Sequence, residues 1–416
     1  MTKTLAFILA GGKGERLGPL TKDRAKPAVP FGGIYRLIDF PLSNCINSGL
    51  RRIYVLPQYK SDSLEIHLRL GWTIFNMEMG EFILSIPPQM RVGEDWYRGT
   101  ADAVYQNIYT IEKYQPRQVL ILAADHIYKM NYAEMLNYHK RTGADVTVAA
   151  IEVPVEKARH FGILSVGKRS DVSEFTEKPP LEEATTVPGH PGVCLASMGV
   201  YIFNTQVLCR LVEEDARSVG SQHDFGRNVF PSMIDRYRVF AYEFIDENRK
   251  TVKYWRDVGT LDAYWEANMD LVGVDPLLNL YDRDWPLRTY QPQLPPAKTV
   301  FAQEFEGGRR GQALDSIISA GCIVSGGRVN RSVLSPGVRV NSYSDVSESV
   351  LMHGVEIGRY CRIRRAIIEK DVSVPPGTQI GYDLEEDRRR FVVTAGGITV
   401  VSKGAELRVM REVVNA

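Results

Sequence analysis

The sequence predicts two domains of different kinds: a mostly parallel α/β sheet domain over residues 1–272 and a parallel β-helix over 301–416, joined by a linker or crossover over 273–300. Three observations carry this. Short apolar, β-branched runs alternate with amphipathic stretches up to about Val272, the segment from Asp275 to Lys298 is dense in proline, and beyond it aliphatic residues recur about every six positions. With 416 residues the chain exceeds what a single core usually supports.

In the first region the runs are LAFILA (5–10), RRIYVL (51–56), QVLILAA (118–124), DVTVAAI (145–151) and MGVYIF (198–203). Continuous apolar strands separated by helical stretches indicate a parallel sheet covered on both faces. The prolines of DPLLNLYDRDWPLRTYQPQLPPAK (275–298) stop both helix and ladder, because each removes a backbone donor and fixes φ. In the last region the hexad positions are Ile317, Ile323, Val329, Val338, Val346, Ile357, Ile363, Val374 and Ile380, with slips of one or two and small or turn residues between them. Coils of three short strands with stacked aliphatics inside fit that spacing; an antiparallel sandwich with irregular strands is the competing arrangement. A solenoid's open ends and flat faces favour packing against another domain or subunit.

Lys and Arg total 51 against 50 Asp and Glu, a formal charge of +1. Bulk charge therefore gives no reason to expect nucleic acid, an anionic membrane or a polyacidic partner. Cys45, Cys194, Cys209, Cys322 and Cys361 contain no CxxC pair, which suggests neither a zinc site nor a disulfide framework and reads as buried thiols in a reducing cytoplasm. The apolar run in MTKTLAFILAGG is too short for a signal segment, and no run approaches a membrane span. A cytoplasmic protein is the expectation.

Any anion must then be held by local arrangement, and LAGGKGERLGPLTKDRAKPAVPFGG (9–33) has the composition for it. Six glycines, three prolines and five Lys or Arg occupy twenty-five positions directly after an apolar strand. A glycine-rich turn at the C-terminal end of a central strand sits where α/β sheets bind ligands, and glycine lets amides approach phosphate closely. The turn is not a Walker A loop, because Gly12-Lys13 is followed by Gly14 where Ser or Thr is required. It is not the dinucleotide fingerprint either, because Leu17 holds the closing position. Its distinguishing feature is cation placement: Lys13 and Arg16 within the loop and Lys26 just before Pro27. A glycine-rich turn with solvated cations is the plain alternative.

LAGGxGxRLxPLT followed by KPAVPFGG resembles the signature of the sugar-nucleotide pyrophosphorylases, a nucleotidyltransferase family. IDFPLSNCINSGLRRI (38–53), WYRGTADAVYQN (96–107), ADHIYKMNY (124–132), LASMGVYIF (195–203), HDFG (223–226) and YWRDVGTLDAYWEANMDL (254–271) are similar, in order, to blocks of its bacterial glucose-1-phosphate adenylyltransferase branch. The resemblance spans nearly the whole chain. It implies a Rossmann-like nucleotidyltransferase domain, a C-terminal left-handed parallel β-helix, a homotetramer, and attack by glucose 1-phosphate on the α-phosphorus of ATP.

The nucleophile of that reaction is already an anion, so the residues must position substrates and supply counter-charge. The resemblance implies Mg2+, for which hard oxygen ligands are required. It gives Asp125, which follows the strand VLILAA, and Asp257 in YWRDVG as the metal ligands. Taken alone, Asp125 could equally cap a helix and Arg256-Asp257 could be a surface pair. The same resemblance assigns the triphosphate to Gly11, Gly12, Lys13 and Arg16, and stabilisation of the α-phosphate and leaving group to Arg16 and Lys26. It assigns glucose 1-phosphate to Lys178, Glu177, Tyr97, Gly162, Ser197 and Asp224. A solvated EKP turn, a core Tyr, a turn Gly, a strand Ser and a capping Asp are the ordinary alternatives.

The chain departs from family members activated by fructose 1,6-bisphosphate, in which a lysine precedes RAKPA directly. Asp23 stands there, with Lys22 one residue earlier, and Pro30 replaces a histidine of that pocket. Arg24 and Arg36 match its arginines, and Arg362, Arg364 and Arg365 would add cations from the solenoid, so an effector metabolite is expected without its identity. Ala124 stands before Asp125 where glycine is usual. Three rivals are an enzyme of the same class for another nucleotide or sugar phosphate, a catalytically silent regulatory subunit, and an acyltransferase using His353, the one histidine after Tyr254.

Overall fold

The computed structural model describes residues 4–12, 14–89, 96–405 and 407. The chain forms two compact units: Met1–Gly12, Phe40–Ala124 and Lys129–Arg249 make the first, and Lys13–Asp39, Asp125–Tyr128 and Lys250–Ala416 the second.

The first unit is built on a nine-stranded sheet. Its parallel part is centred on Thr4–Ala10, flanked by Gln118–Ala123 on one side and Arg52–Pro57 on the other, with Phe82–Ser85 outside Arg52–Pro57. These strands are apolar along their whole length because helices cover both faces: Phe7, Ile8, Val55, Ile121 and Leu122 are all fully buried. MGVYIF lies within the long strand Val193–Asn204, which runs antiparallel to Gln118–Ala123 and to Val146–Pro154. Between Val146–Pro154 and this strand the chain forms the hairpin Gly162–Val166 with Val172–Glu177 and short 3-10 turns. A parallel return needs a helix-length crossover, which that stretch lacks.

The second unit contains a parallel β-helix. One interior ladder runs Val324, Val340, Ile357, Val374, a second Ala313, Val329, Val346, Ile363, Ile380, and a third Ile318, Leu334, Leu351, Ile368, Val401. Each step advances sixteen or seventeen residues, except the last of the third ladder, Ile368 to Val401, which takes thirty-three. Two hexad positions are off by one: Ile317 and Ile318 are both half-buried but Ile318 is the one packed against the interior cluster, and Ile323 is half-buried beside the fully buried Val324. Successive side chains of a strand point to opposite sides, so a slip of one exchanges inside for outside. The strand Lys298–Val300 already belongs to the first ladder's sheet, and Leu278 and Trp285 of the proline-dense segment are buried. The helix Leu384–Arg390, capped by Asp383 accepting from the Glu385 and Glu386 amides, interrupts the coils before Thr399–Val401 resumes them.

Two smaller elements of this unit carry chemistry. His126–Tyr128 pairs antiparallel with Trp255–Asp257, and Thr260 caps the helix Leu261–Met269 by accepting from the Ala263 amide. No cysteine is paired; four are buried and Cys209 is half-buried. Among the described residues no helix is long and apolar enough to cross a membrane.

Candidate functional site

The acidic centre belongs to the second unit. Asp125 leaves the strand Gln118–Ala123 and precedes the ribbon in which His126 and Asp257 are direct cross-strand partners. Opposed residues of an antiparallel pair project from the same face with Cβ atoms about 5 Å apart. The ligand atoms of Asp125, His126 and Asp257 accordingly lie within 4.8 Å of one another. Lys26 opens the 3-10 turn Lys26–Ala28 and drives its ammonium into this group, 2.7 Å from Asp125 Oδ2 and 3.4 Å from Asp257 Oδ1. Burial works against the charge of both partners, yet their attraction wins. The Lys26 ammonium is held above its usual range by Asp125 and Asp257, and the Asp125 carboxyl well below its own by Lys26. Two carboxylates thus share one ammonium, with 8% of the Lys26 and 33% of the Asp125 side chain exposed.

Arg16 approaches the same place. A Cβ at Gly259 would lie 2.8 Å from an Arg16 guanidinium nitrogen and 3.0 Å from Asp257 Oδ2, so the bare backbone of Gly259 admits both groups. Lys13 lies outside the described residues. Gly11 and Gly12 belong to the first unit, Gly12 exposed and Gly11 against the Gln58 side chain, with 3.1 Å from its Cβ position to Oε1.

The sugar-phosphate residues assigned from resemblance gather in the first unit. Glu177 ends the strand Val172–Glu177 and its carboxylate lies against two glycines: a Cβ at Gly226 would sit 2.5 Å, and one at Gly162 2.8 Å, from Oε2. Lys178 adopts φ 53° and donates from Nζ to Glu177 Oε1 at 2.7 Å. An unbranched residue held in the left-handed region is uncommon and marks a position worth its strain. Asp224 accepts from the Gly226 and Arg227 amides through Oδ1 and from the Thr100 hydroxyl through Oδ2 at 3.0 Å. Ser197 lies where the register of Val193–Asn204 slips against Val146–Pro154, a local irregularity that turns side chains, and its Oγ is 3.2 Å from Tyr201 Oη. Burial raises the Tyr201 phenol far above its usual range, and the nearby Glu177 and Asp224 charges add to the effect. Tyr97 is buried, accepts from Asn107 Nδ2 at 2.9 Å, and its carbonyl accepts from Gln58 Nε2 at 2.6 Å.

The five arginines proposed for an effector are each engaged within the second unit. Arg24 makes two 2.8 Å bonds to Glu369, with both side chains only 4% exposed. Arg36 is half-buried; its burial and the nearby Arg24 charge lower its pKa, while Asp39 opposes them. Arg362 lies over the Tyr382 ring, Arg365 over the Trp265 ring, and Arg364 is 3.7 Å from Glu348. His126, Gln58, Thr100, Tyr201, Gly226 and Gly259 also belong to these clusters without a motif role of their own. His126 stood beside Asp125 in an Asp-His dipeptide, and Gly226 and Gly259 lay inside quoted blocks, but only the fold reveals what they touch.

Residues 5–273 match the nucleotidyl transferase family and residues 295–401 the GlmU-like C-terminal hexapeptide family, whose repeat accords with left-handed β-helical coils. Similar proteins along nearly the whole length include the glucose-1-phosphate adenylyltransferases of Koribacter versatilis, 58% identical over 98% of this chain and 97% of its own, and of Rhodopirellula baltica, 57% identical over 97% and 91%. That of Methylococcus capsulatus is 52% identical over 96% and 93%.

Proposed function

This chain belongs to the nucleotidyl transferase family, with the glucose-1-phosphate adenylyltransferases, and from that premise we propose how its residues divide the work. It is a nucleotidyltransferase that makes ADP-glucose: a phosphate oxygen of glucose 1-phosphate bonds to the α-phosphorus of ATP, and the bond to the β-phosphate oxygen breaks to release pyrophosphate. The attacking oxygen is ionised at neutral pH, so no general base is required, and the barrier lies in bringing anions together.

One observation carries the assignment of that charge work: a single buried ammonium, Lys26, serves two carboxylates, Asp125 and Asp257. The donor set fits a divalent cation, because hard carboxylate oxygens are what Mg2+ binds. Bound there, Mg2+ would supply Lewis-acid charge to the triphosphate. Arg16 and Lys26 counter the charge that grows on the α-phosphate and leaving group, and the Gly11 and Gly12 amides with Lys13 hold the remaining phosphates. Lys178 grips the phosphate of glucose 1-phosphate. Glu177, Asp224, Ser197, Tyr97 and the backbone at Gly162 orient the sugar, with Thr100 and Tyr201 as their supports.

Regulation and assembly extend this reading. A metabolite effector is expected at the arginines of the loop and solenoid, but the Arg24–Glu369 pair must open before Arg24 can take part. A homotetramer is expected from the family resemblance, and a monomer in sedimentation at working concentration would contradict it. The direct test of the reaction is pyrophosphate release by the purified chain with glucose 1-phosphate and each common nucleoside triphosphate, with and without EDTA. The account expects turnover with ATP that EDTA abolishes; preference for another triphosphate, or turnover in EDTA, would overturn it.

A further inference from the structure

We propose that His126 is a third protein ligand of the divalent cation, so that the site is built from two carboxylates and one imidazole. The proposal rests on the reading of Asp125 and Asp257 as metal ligands and adds a nitrogen to them. His126 is the cross-strand partner of Asp257, which places both side chains on one face of the ribbon. Its Nε2 faces Asp125 Oδ1 across 3.6 Å, while Lys26 occupies the other oxygen, Oδ2.

That separation is too long for a hydrogen bond, and Nδ1 is buried with no hydrogen-bond partner among the described residues. A buried polar atom without a partner is rare enough to require an explanation. Here the ring is aimed by packing instead: it lies against Trp255, with ring centroids 5.0 Å apart, on a two-stranded element that fixes its backbone. In the tautomer with the proton on Nδ1, an imidazole oriented this way presents the Nε2 lone pair beside two carboxylates. Ligand atoms about 2.1 Å from one ion lie roughly 3–4 Å from each other, so groups already within 4.8 Å converge on an ion with small side-chain rotations.

The chemical consequence concerns metal preference. An all-oxygen site favours Mg2+ and Ca2+, whereas an imidazole improves the relative standing of Mn2+ and Co2+. The enzyme should therefore accept Mn2+ in place of Mg2+, and His126 should matter more for Mn2+ than for Mg2+.

Mn2+ alone, without nucleotide, is the probe. Pulsed electron paramagnetic resonance of the Mn2+-loaded full chain reads nitrogen bound to the ion through electron spin echo modulation. The expected result is 14N modulation that changes to the 15N pattern when the wild-type chain carries 15N-histidine, a test that needs no substitution. In His126→Gln the modulation should vanish while Mn2+ still binds, with affinity lower by on the order of tenfold and Mg2+ affinity lowered less. Asp125→Asn should weaken binding at the site far more than His126→Gln does. Mn2+ whose binding depends on Asp125 but shows no histidine nitrogen would overturn the role of His126 and leave the two carboxylates in place. Modulation that survives His126→Gln would likewise overturn it. Binding indifferent to Asp125→Asn would remove the metal reading itself.

Discussion

Arg24 and Lys26 stand two residues apart in one loop and are both buried, yet their surroundings differ in a way that separates structure from chemistry. Arg24 meets a single carboxylate, Glu369, in a forked pair with each bond 2.8 Å long and water excluded from both sides. One charge answers one charge, and the pair ties the loop to the solenoid coil within the same unit. Lys26 is shared between two carboxylates at 2.7 and 3.4 Å, and a third of the Asp125 side chain remains exposed. That arrangement leaves carboxylate surface open to solvent, with the Arg16 guanidinium at its edge. A matched buried pair maintains a shape, whereas a shared and partly exposed one can take a cation.

The contrast is broken most severely at Asp125. Asp125→Asn removes a metal ligand and half of the charge facing Lys26, and should lower kcat about 10³-fold or more, with the melting temperature little changed; near-wild-type turnover would remove Asp125 from the site. Glu369→Gln inverts the outcome. Leaving Arg24 buried without its counter-charge should cost about 3–5 kcal/mol, read by denaturant unfolding, while kcat per folded molecule changes far less. A purely catalytic loss there would erase the distinction between the two pairs. Lys178→Ala should raise KM for glucose 1-phosphate by roughly ten- to a hundredfold, the range of a charge-assisted hydrogen bond, with a much smaller change in KM for ATP; equal changes in both would refute its assignment. Gly259→Ala places a methyl group where Arg16 and Asp257 approach, and should lower kcat about tenfold, on the scale of a modest overpacking cost, with KM for glucose 1-phosphate unmoved.

The smallest expected effect is an absence. The depressed Asp125 pKa means its ionised form is the one the fold favours, and that contribution is lost only as pH falls through its folded value, below the usual carboxylate range. The raised Lys26 pKa has the opposite sign: its contribution is complete below the ordinary lysine value and is lost as pH rises through a folded value above it. From about pH 7 to 9 neither group changes charge. A limb of the activity profile in that window that Lys26→Arg displaces would contradict this.

Much of the architecture was legible because it rests on periodicity. Apolar runs such as LAFILA and QVLILAA read as buried strands since both faces are covered, and the hexads read as coils since one aliphatic per short strand must point inward. What periodicity cannot supply is phase and pairing. Ile317 and Ile323 sit one residue from the interior ladders, and a one-residue slip in a two- or three-residue strand is invisible without its partner strands. The antiparallel direction of Val193–Asn204 depended on the hairpin preceding it rather than on its own composition.

The site was legible only where residue type and position already implied chemistry. Asp125 announces itself at a strand end and Lys26 in a glycine- and proline-rich loop. Glu369 lies 345 residues from Arg24 in a solenoid strand flank, with nothing local to mark it as a partner. His126 becomes informative only through its register against Asp257, and Gly226 and Gly259 only through the side chains that occupy the volume their Cβ atoms would take. These are facts about pairs of residues, and a single sequence states residues one at a time.

The central claim is that Asp125 and Asp257 act on one ion as a unit. A double-mutant cycle of Asp125→Asn and Asp257→Asn, read as the Mn2+ dissociation constant by equilibrium dialysis, measures it directly. If the two share an ion, the double variant should bind Mn2+ hardly more weakly than either single variant. Losses that simply add would show two independent carboxylates and contradict the account.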